Sequence, residues 1–131
     1  MKIDHIGIAV KSIEEGLGFW QEALGLTPDS AEEVAEQGLK VCMFPIGDTN
    51  VELLEPITSQ SPVGKFLEKR GPGLHHIAIE VSDIHGSLAK LKQRGARLID
   101  ETPRIGARGS LIAFVHPSST NGVLLELVQH Q

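Results

Sequence analysis

Gly73-Leu74-His75-His76-Ile77-Ala78-Ile79-Glu80-Val81 is a phrase the chain has already written near its start, as Asp4-His5-Ile6-Gly7-Ile8-Ala9-Val10. Each copy has a histidine followed by branched and small residues in alternation. His76 follows His5 by 71 positions, just over half of the 131 residues. The flanks repeat too. Ser12-Ile13 and Asp83-Ile84 each set a capping side chain before the first apolar position of a helix, and Ser12 and Glu15 have capping-box spacing. Ile13, Leu17, Trp20 and Leu24 recur at helical spacing up to Gly25; Ile84, Leu88 and Leu91 do so up to Gly95. Gly38–Pro45 resembles Gly109–Pro117, and Val51-Glu52-Leu53-Leu54 resembles Leu125-Glu126-Leu127-Val128. Four matches in one order indicate a duplicated unit of strand, helix and further strands.

Composition bounds the reading. With 40% hydrophobic residues the chain holds enough apolar surface for one core, whereas half of it alone would be marginal. A net charge of −5 argues against nucleic acid or an anionic membrane as partner, but allows a small anion at a local basic patch. The one cysteine, Cys42, excludes an internal disulfide and fits a reducing, cytoplasmic setting; in its apolar strand it reads as a buried thiol. No signal-peptide-like or membrane-spanning run is seen. We expect one domain over 1–131: a first module of about 1–56, a connecting segment over 57–73, and a second module over 74–131. In the first module we expect a strand at 2–10, a helix at 13–24, an acidic loop at 25–37 carrying Glu32, Glu33 and Glu36, and strands at 38–45 and 50–55. Ser61-Pro62 opens a short helix in the connecting segment. A loop is expected at 102–109.

Strand phase bears on chemistry. Side chains alternate across a sheet, so His5, Gly7 and Ala9 share one face while Ile6, Ile8 and Val10 share the other. His76, Ala78 and Glu80 likewise oppose Ile77, Ile79 and Val81. The branched faces should lie under the helices, and the histidine faces leave room. Glu52 and Glu126 each interrupt an apolar strand, where a lone buried carboxylate is costly unless paired or bound to metal. A pseudo-twofold would bring His5, Glu52, His76 and Glu126 together. That imidazole–carboxylate set suits a divalent ion such as Co, Ni, Zn, Mn or Fe, and cobalt is the one we expect. Taken singly, a strand histidine usually packs or caps an edge and a strand glutamate usually faces solvent; the repetition favours metal. His75 is read as structural, His85 and His130 as solvent-facing, and His116 before Pro117 as a turn residue.

These segments, with Val51-Glu52-Leu53-Leu54-Glu55-Pro56, Ile105-Gly106-Ala107-Arg108-Gly109, His116-Pro117 and Gly122-Val123-Leu124-Leu125-Glu126-Leu127, resemble the vicinal oxygen chelate superfamily, and within it the methylmalonyl-CoA epimerase family. The resemblance spans nearly the whole chain. It implies an α+β glyoxalase-like fold of two βαβββ modules whose mixed sheets form a cup around a metal, and a homodimer. It implies His5, His76 and Glu126 as metal ligands, with Glu52 at the fourth position, where members carry Gln or Glu. The implied isomerase reaction interconverts (R)- and (S)-methylmalonyl-CoA by proton abstraction at C2 through a metal-stabilised enolate. Inversion needs an acid and a base on opposite faces, and Glu52 and Glu126 are the candidates. Some members carry a further glutamate in the second strand of the first module; Lys40-Val41-Cys42-Met43-Phe44 has none. Gly106 and Arg108 are the candidates for substrate contact; a flexible hairpin with a solvated arginine is the plainer alternative.

Three other readings share the fold. A glyoxalase I-type lactoylglutathione lyase has a similar His/Glu set. An extradiol dioxygenase uses two His and one Glu around Fe(II). A non-catalytic drug-binding protein lacks the metal ligands. The epimerase-like segments speak against the first, the usually greater length of such chains and the lack of a further acid–base histidine in the cup against the second, and the intact His5, His76 and Glu126 set against the third.

Overall fold

The computed structural model describes residues 1–131 as two compact units. The N-terminal unit is His5–His75; the C-terminal unit is His76–Gln131 together with Met1–Asp4. The boundaries fall between Asp4 and His5 and between His75 and His76. In chain order the elements are β1 Lys2–Ala9, α1 Ile13–Leu17, β2 Ser30–Val34, β3 Leu39–Ile46, β4 Thr49–Pro56, α2 Pro62–Arg70, β5 Gly73–Glu80, α3 Ile84–Gln93, β6 Arg104–Ile105, β7 Leu111–Val115 and β8 Leu125–Gln129. The class is α+β, as expected. No helix is long and apolar enough to cross a membrane.

In the N-terminal unit β1 runs parallel to β4, with Gly7 beside Glu52, and β3 runs antiparallel to β4 and to β2. In the C-terminal unit β5 runs parallel to β8, with Ala78 beside Glu126, and β7 runs antiparallel to β8 and to β6. Each helix is tied to the last strand of its own unit by one bond. The Ile13 amide donates to Glu55 Oε1 at 2.8 Å, and the Ile84 amide donates to Gln129 Oε1 at 2.8 Å. Each bond satisfies one of the orphan donors of a helix start. Ser12 and Asp83 cap as read, accepting from the Glu15 and Gly86 amides.

Apolar cores confirm the strand phase. Cys42, Phe44, Val51 and Leu53 pack with Ile8, Val10, Ile13, Leu17 and Trp20 on the helix side of the N-terminal unit. Val81, Ile84, Leu88, Ala113 and Leu127 do the same beneath α3. The histidine faces therefore look away from α1 and α3.

Three local expectations change. The helix at 13–24 is α only to Leu17; Gly18–Ala23 is π-wound. The wider turn moves Leu24 off the apolar stripe, leaving it 53% exposed, and Leu26 packs in its place. The acidic loop contains a strand, β2, whose Glu32 and Glu33 pair with Val41 and Lys40 of β3. The 102–109 loop holds the two-residue β6 and a tight turn over Ala107–Gly109. Between the modules α2 forms as read, with Ser61 accepting from the Gly64 amide and Pro62 in the first turn.

Candidate active site

Each unit carries one buried imidazole–carboxylate pair on the face opposite its helix. In the N-terminal unit His5 Nδ1 lies 3.2 Å from Glu52 Oε2; in the C-terminal unit His76 Nε2 lies 3.2 Å from Glu126 Oε1. All four residues are no more than 5% exposed. The surroundings are small or apolar. Gly7 and Met43 flank Glu52 in register, and Ala78 and Phe114 flank Glu126. The His76 ring stands edge-on to Phe114 at 5.7 Å.

These pairs fit a divalent ion by their donor chemistry. A charged N–H···O bond is usually about 2.7–2.9 Å. Two ligand atoms each about 2.1 Å from one ion stand roughly 3.0–3.4 Å apart. Nitrogen and oxygen donors with no thiolate match Co, Ni, Zn, Mn or Fe. Each carboxylate, costly to bury alone, gains a partner.

The other candidates fall out differently. Gly106 is buried, and its amide donates to the Ser110 carbonyl at 2.8 Å; an added Cβ would meet Ile112 Cγ2 at 2.7 Å. Arg108 is exposed, on a left-handed backbone with φ 58°. His75 packs edge-on to Phe66 at 5.0 Å. His116 caps a turn by accepting from the Ser118 amide. His130, read as solvent-facing, keeps a half-exposed ring, but its Nε2 lies 2.6 Å from Oδ1 of buried Asp4. Burial of Cys42 pushes its thiol pKa up.

Two further charged residues stand on the histidine faces, Glu32 from the expected acidic loop and Arg104 from the expected 102–109 loop. Glu32 pairs with Val41, which pairs with Leu54, so it shares the Glu52 face. Arg104 pairs with Ile112, which lies two residues before Phe114 and shares the Glu126 face. Both sit on outermost strands too short or too acidic to show a period-2 pattern.

Comparison with known proteins identifies the family. The sequence profile described as the Glyoxalase/Bleomycin resistance protein/Dioxygenase superfamily matches residues 4–114. The uncharacterized protein YqjC of Bacillus subtilis is 47% identical, with 98% of this chain and 91% of that protein aligned. The mitochondrial methylmalonyl-CoA epimerase of Dictyostelium discoideum is 37% identical, over 96% of this chain and 76% of its own. A solved methylmalonyl-CoA epimerase in complex with methylmalonyl-CoA and NH4+ superposes with a TM-score of 0.94 at 38% identity, covering 98% of this chain and 93% of that one. The chain belongs to the Glyoxalase/Bleomycin resistance protein/Dioxygenase superfamily, has its glyoxalase-like fold, and falls within it in the methylmalonyl-CoA epimerase family.

Proposed function

We propose that this chain is an isomerase, a methylmalonyl-CoA epimerase, that interconverts (R)- and (S)-methylmalonyl-CoA by moving the proton on C2. The observation that carries the reading is the pair of buried His–Glu sets at matching register in a chain similar over nearly its whole length to epimerases. His5, His76 and Glu126, with Glu52 at the fourth position, hold a divalent metal, cobalt in the first instance. Bound there, the metal would supply the Lewis acidity that makes the C2 proton removable at neutral pH.

The chain's own groups then handle the proton. Glu52 and Glu126 stand on different units, and in this reading they address opposite faces of C2, one accepting the proton while the other returns one. Gly7 and Met43 stand beside Glu52, and Ala78 and Phe114 beside Glu126, so each glutamate has small and apolar neighbours within its own unit. The turn holding Gly106 and Arg108 contacts the acyl-CoA. The two units work as one domain, in a homodimer, in the cytoplasm; the single buried thiol suits that compartment.

Deuterium uptake at C2 of methylmalonyl-CoA in D₂O tests this, with metal-stripped chain and then with Co²⁺ restored. We expect exchange with racemisation only after Co²⁺ is added. No exchange with the metallated chain would discard the epimerase.

A further inference from the structure

Arg104 is the one cation that the strand register places on the Glu126 face of the C-terminal unit. β6 pairs with β7 through Arg104 and Ile112, and β7 pairs with β8 through Phe114 and Glu126. Ile112 and Phe114 cluster with Ala78 and Val128, on the side away from α3. Arg104 therefore stands two strand spacings, roughly 10 Å, from the strand of Glu126.

Its environment is unusual for a surface arginine. Nε is buried and has no hydrogen-bond partner. Asp100 Oδ1 lies 3.1 Å from it, close enough for an ion pair but not aligned for a bond. Asp100 is itself held, because its Oδ2 accepts from the Phe114 amide at 2.9 Å. The guanidinium is thus braced along one edge, while the side chain stays 39% exposed. A planar guanidinium fixed at its Nε edge leaves its two terminal amino groups as a fork for an anion. A chain of net charge −5 that takes an anionic substrate needs such a local cation.

We infer that Arg104 binds the anionic oxygens of the acyl-CoA substrate, with Asp100 as the residue that positions its guanidinium. This rests on the epimerase reading and adds to it a substrate contact four residues before the exposed Arg108. The chemistry is shared by two parts of that substrate, the malonyl carboxylate and the coenzyme A phosphates.

Calorimetric binding to the metallated chain tests it without requiring turnover. The probes are methylmalonyl-CoA and methylmalonyl-pantetheine, which keeps the carboxylate and lacks the nucleotide phosphates. Arg104→Met should weaken methylmalonyl-CoA at least tenfold, and Arg104→Lys should recover part of the loss. Equal weakening of both probes assigns the carboxylate; weakening of the coenzyme A form alone assigns the phosphates. Unchanged affinity for both, with only a lower melting temperature, would overturn the inference and leave Arg104 as a loop staple. A wild-type chain that binds methylmalonyl-CoA but fails to exchange its C2 proton would overturn the epimerase reading instead.

Discussion

The two units set a histidine and a glutamate in matching register but turn the imidazoles differently. Nδ1 of His5 faces Glu52, whereas Nε2 of His76 faces Glu126, both at 3.2 Å. The backbones around them agree closely. Gly7 and Ala78 stand beside the glutamates, and one side chain at the end of the last strand anchors each helix start. The neighbours differ. Glu126 has Phe114 across the ladder, and that ring meets His76 edge-on; Glu52 has the flexible Met43. A repeated backbone fixes where each pair stands, while the side chains packed beside the two pairs differ.

The largest effect expected from this comparison is chemical. Removing either carboxylate's charge should slow epimerisation by about 10²–10⁴-fold, the usual worth of a positioned acid or base. Glu52→Gln and Glu126→Gln should then separate by substrate hand. Each should suppress deuterium exchange from one epimer of methylmalonyl-CoA more than from the other, in opposite senses. Equal loss from both epimers in both variants would break the opposed roles and leave the glutamates as ligands.

A stability comparison follows from the helices. Leu88 is 3% exposed beneath α3, so Leu88→Ala should cost about 2–5 kcal/mol in a denaturant titration. Leu24 belongs to the other helix's apolar series, yet it is 53% exposed because the π turns rotate it outward. Leu24→Ala should change stability by less than about 0.5 kcal/mol. Comparable losses at the two sites would mean that Leu24 packs in solution and that the first helix is α-wound throughout.

That helix shows why some features were legible and others were not. Ile13, Leu17 and Trp20 mark a buried face by spacing alone, and they pack as read. Spacing cannot reveal the switch to π winding, because Leu24 continues the same series. The histidine faces were legible because period-2 alternation is local and was written twice. The seam of the units at His75 and His76 was not, since it depends on where contacts concentrate. β2 was hidden by Glu32 and Glu33, which have little strand propensity and are held by pairing with β3. The Asp4–His130 contact joins residues 126 apart, and no local pattern announces it. Arg104 showed no pattern because its strand is two residues long, whereas the glycine-flanked Arg108 resembles an anion loop.

Two glycines sharpen the comparison at smaller scale. A Cβ on Gly64, in α2, would lie 2.5 Å from the Thr58 carbonyl oxygen, and backbone cannot easily yield. A Cβ on Gly106 would lie 2.7 Å from Ile112 Cγ2, a side-chain methyl rather than backbone, though one of a buried β-branched residue. Gly64→Ala should therefore cost about 2–3 kcal/mol and Gly106→Ala about 1 kcal/mol, within the range for overpacking. Thermal unfolding of the two variants decides the order; the reverse order would mean that the segment at 58–61 moves more freely than the strand beneath Gly106.

The smallest effect lies with Cys42, which has no thiol counterpart in the C-terminal unit, where Ala113 packs on the equivalent helix side. Burial raises its pKa above the ordinary 9.0. The folded state then holds the proton at a pH where the unfolded chain has released it. Between the two pKa values the unfolded state binds fewer protons, so stability falls as pH rises. The contribution is intact below the unfolded value and is lost progressively above it. Cys42→Ala removes this alkaline slope at the cost of a small cavity. The check is a set of urea titrations from neutral to alkaline pH on both forms, with a thiol-reagent assay alongside. The native chain should react slowly and the urea-unfolded chain release one full equivalent. Rapid reaction in the native state would mean that the strand pair β3 and β4 opens at this point, and that the N-terminal core is the looser of the two.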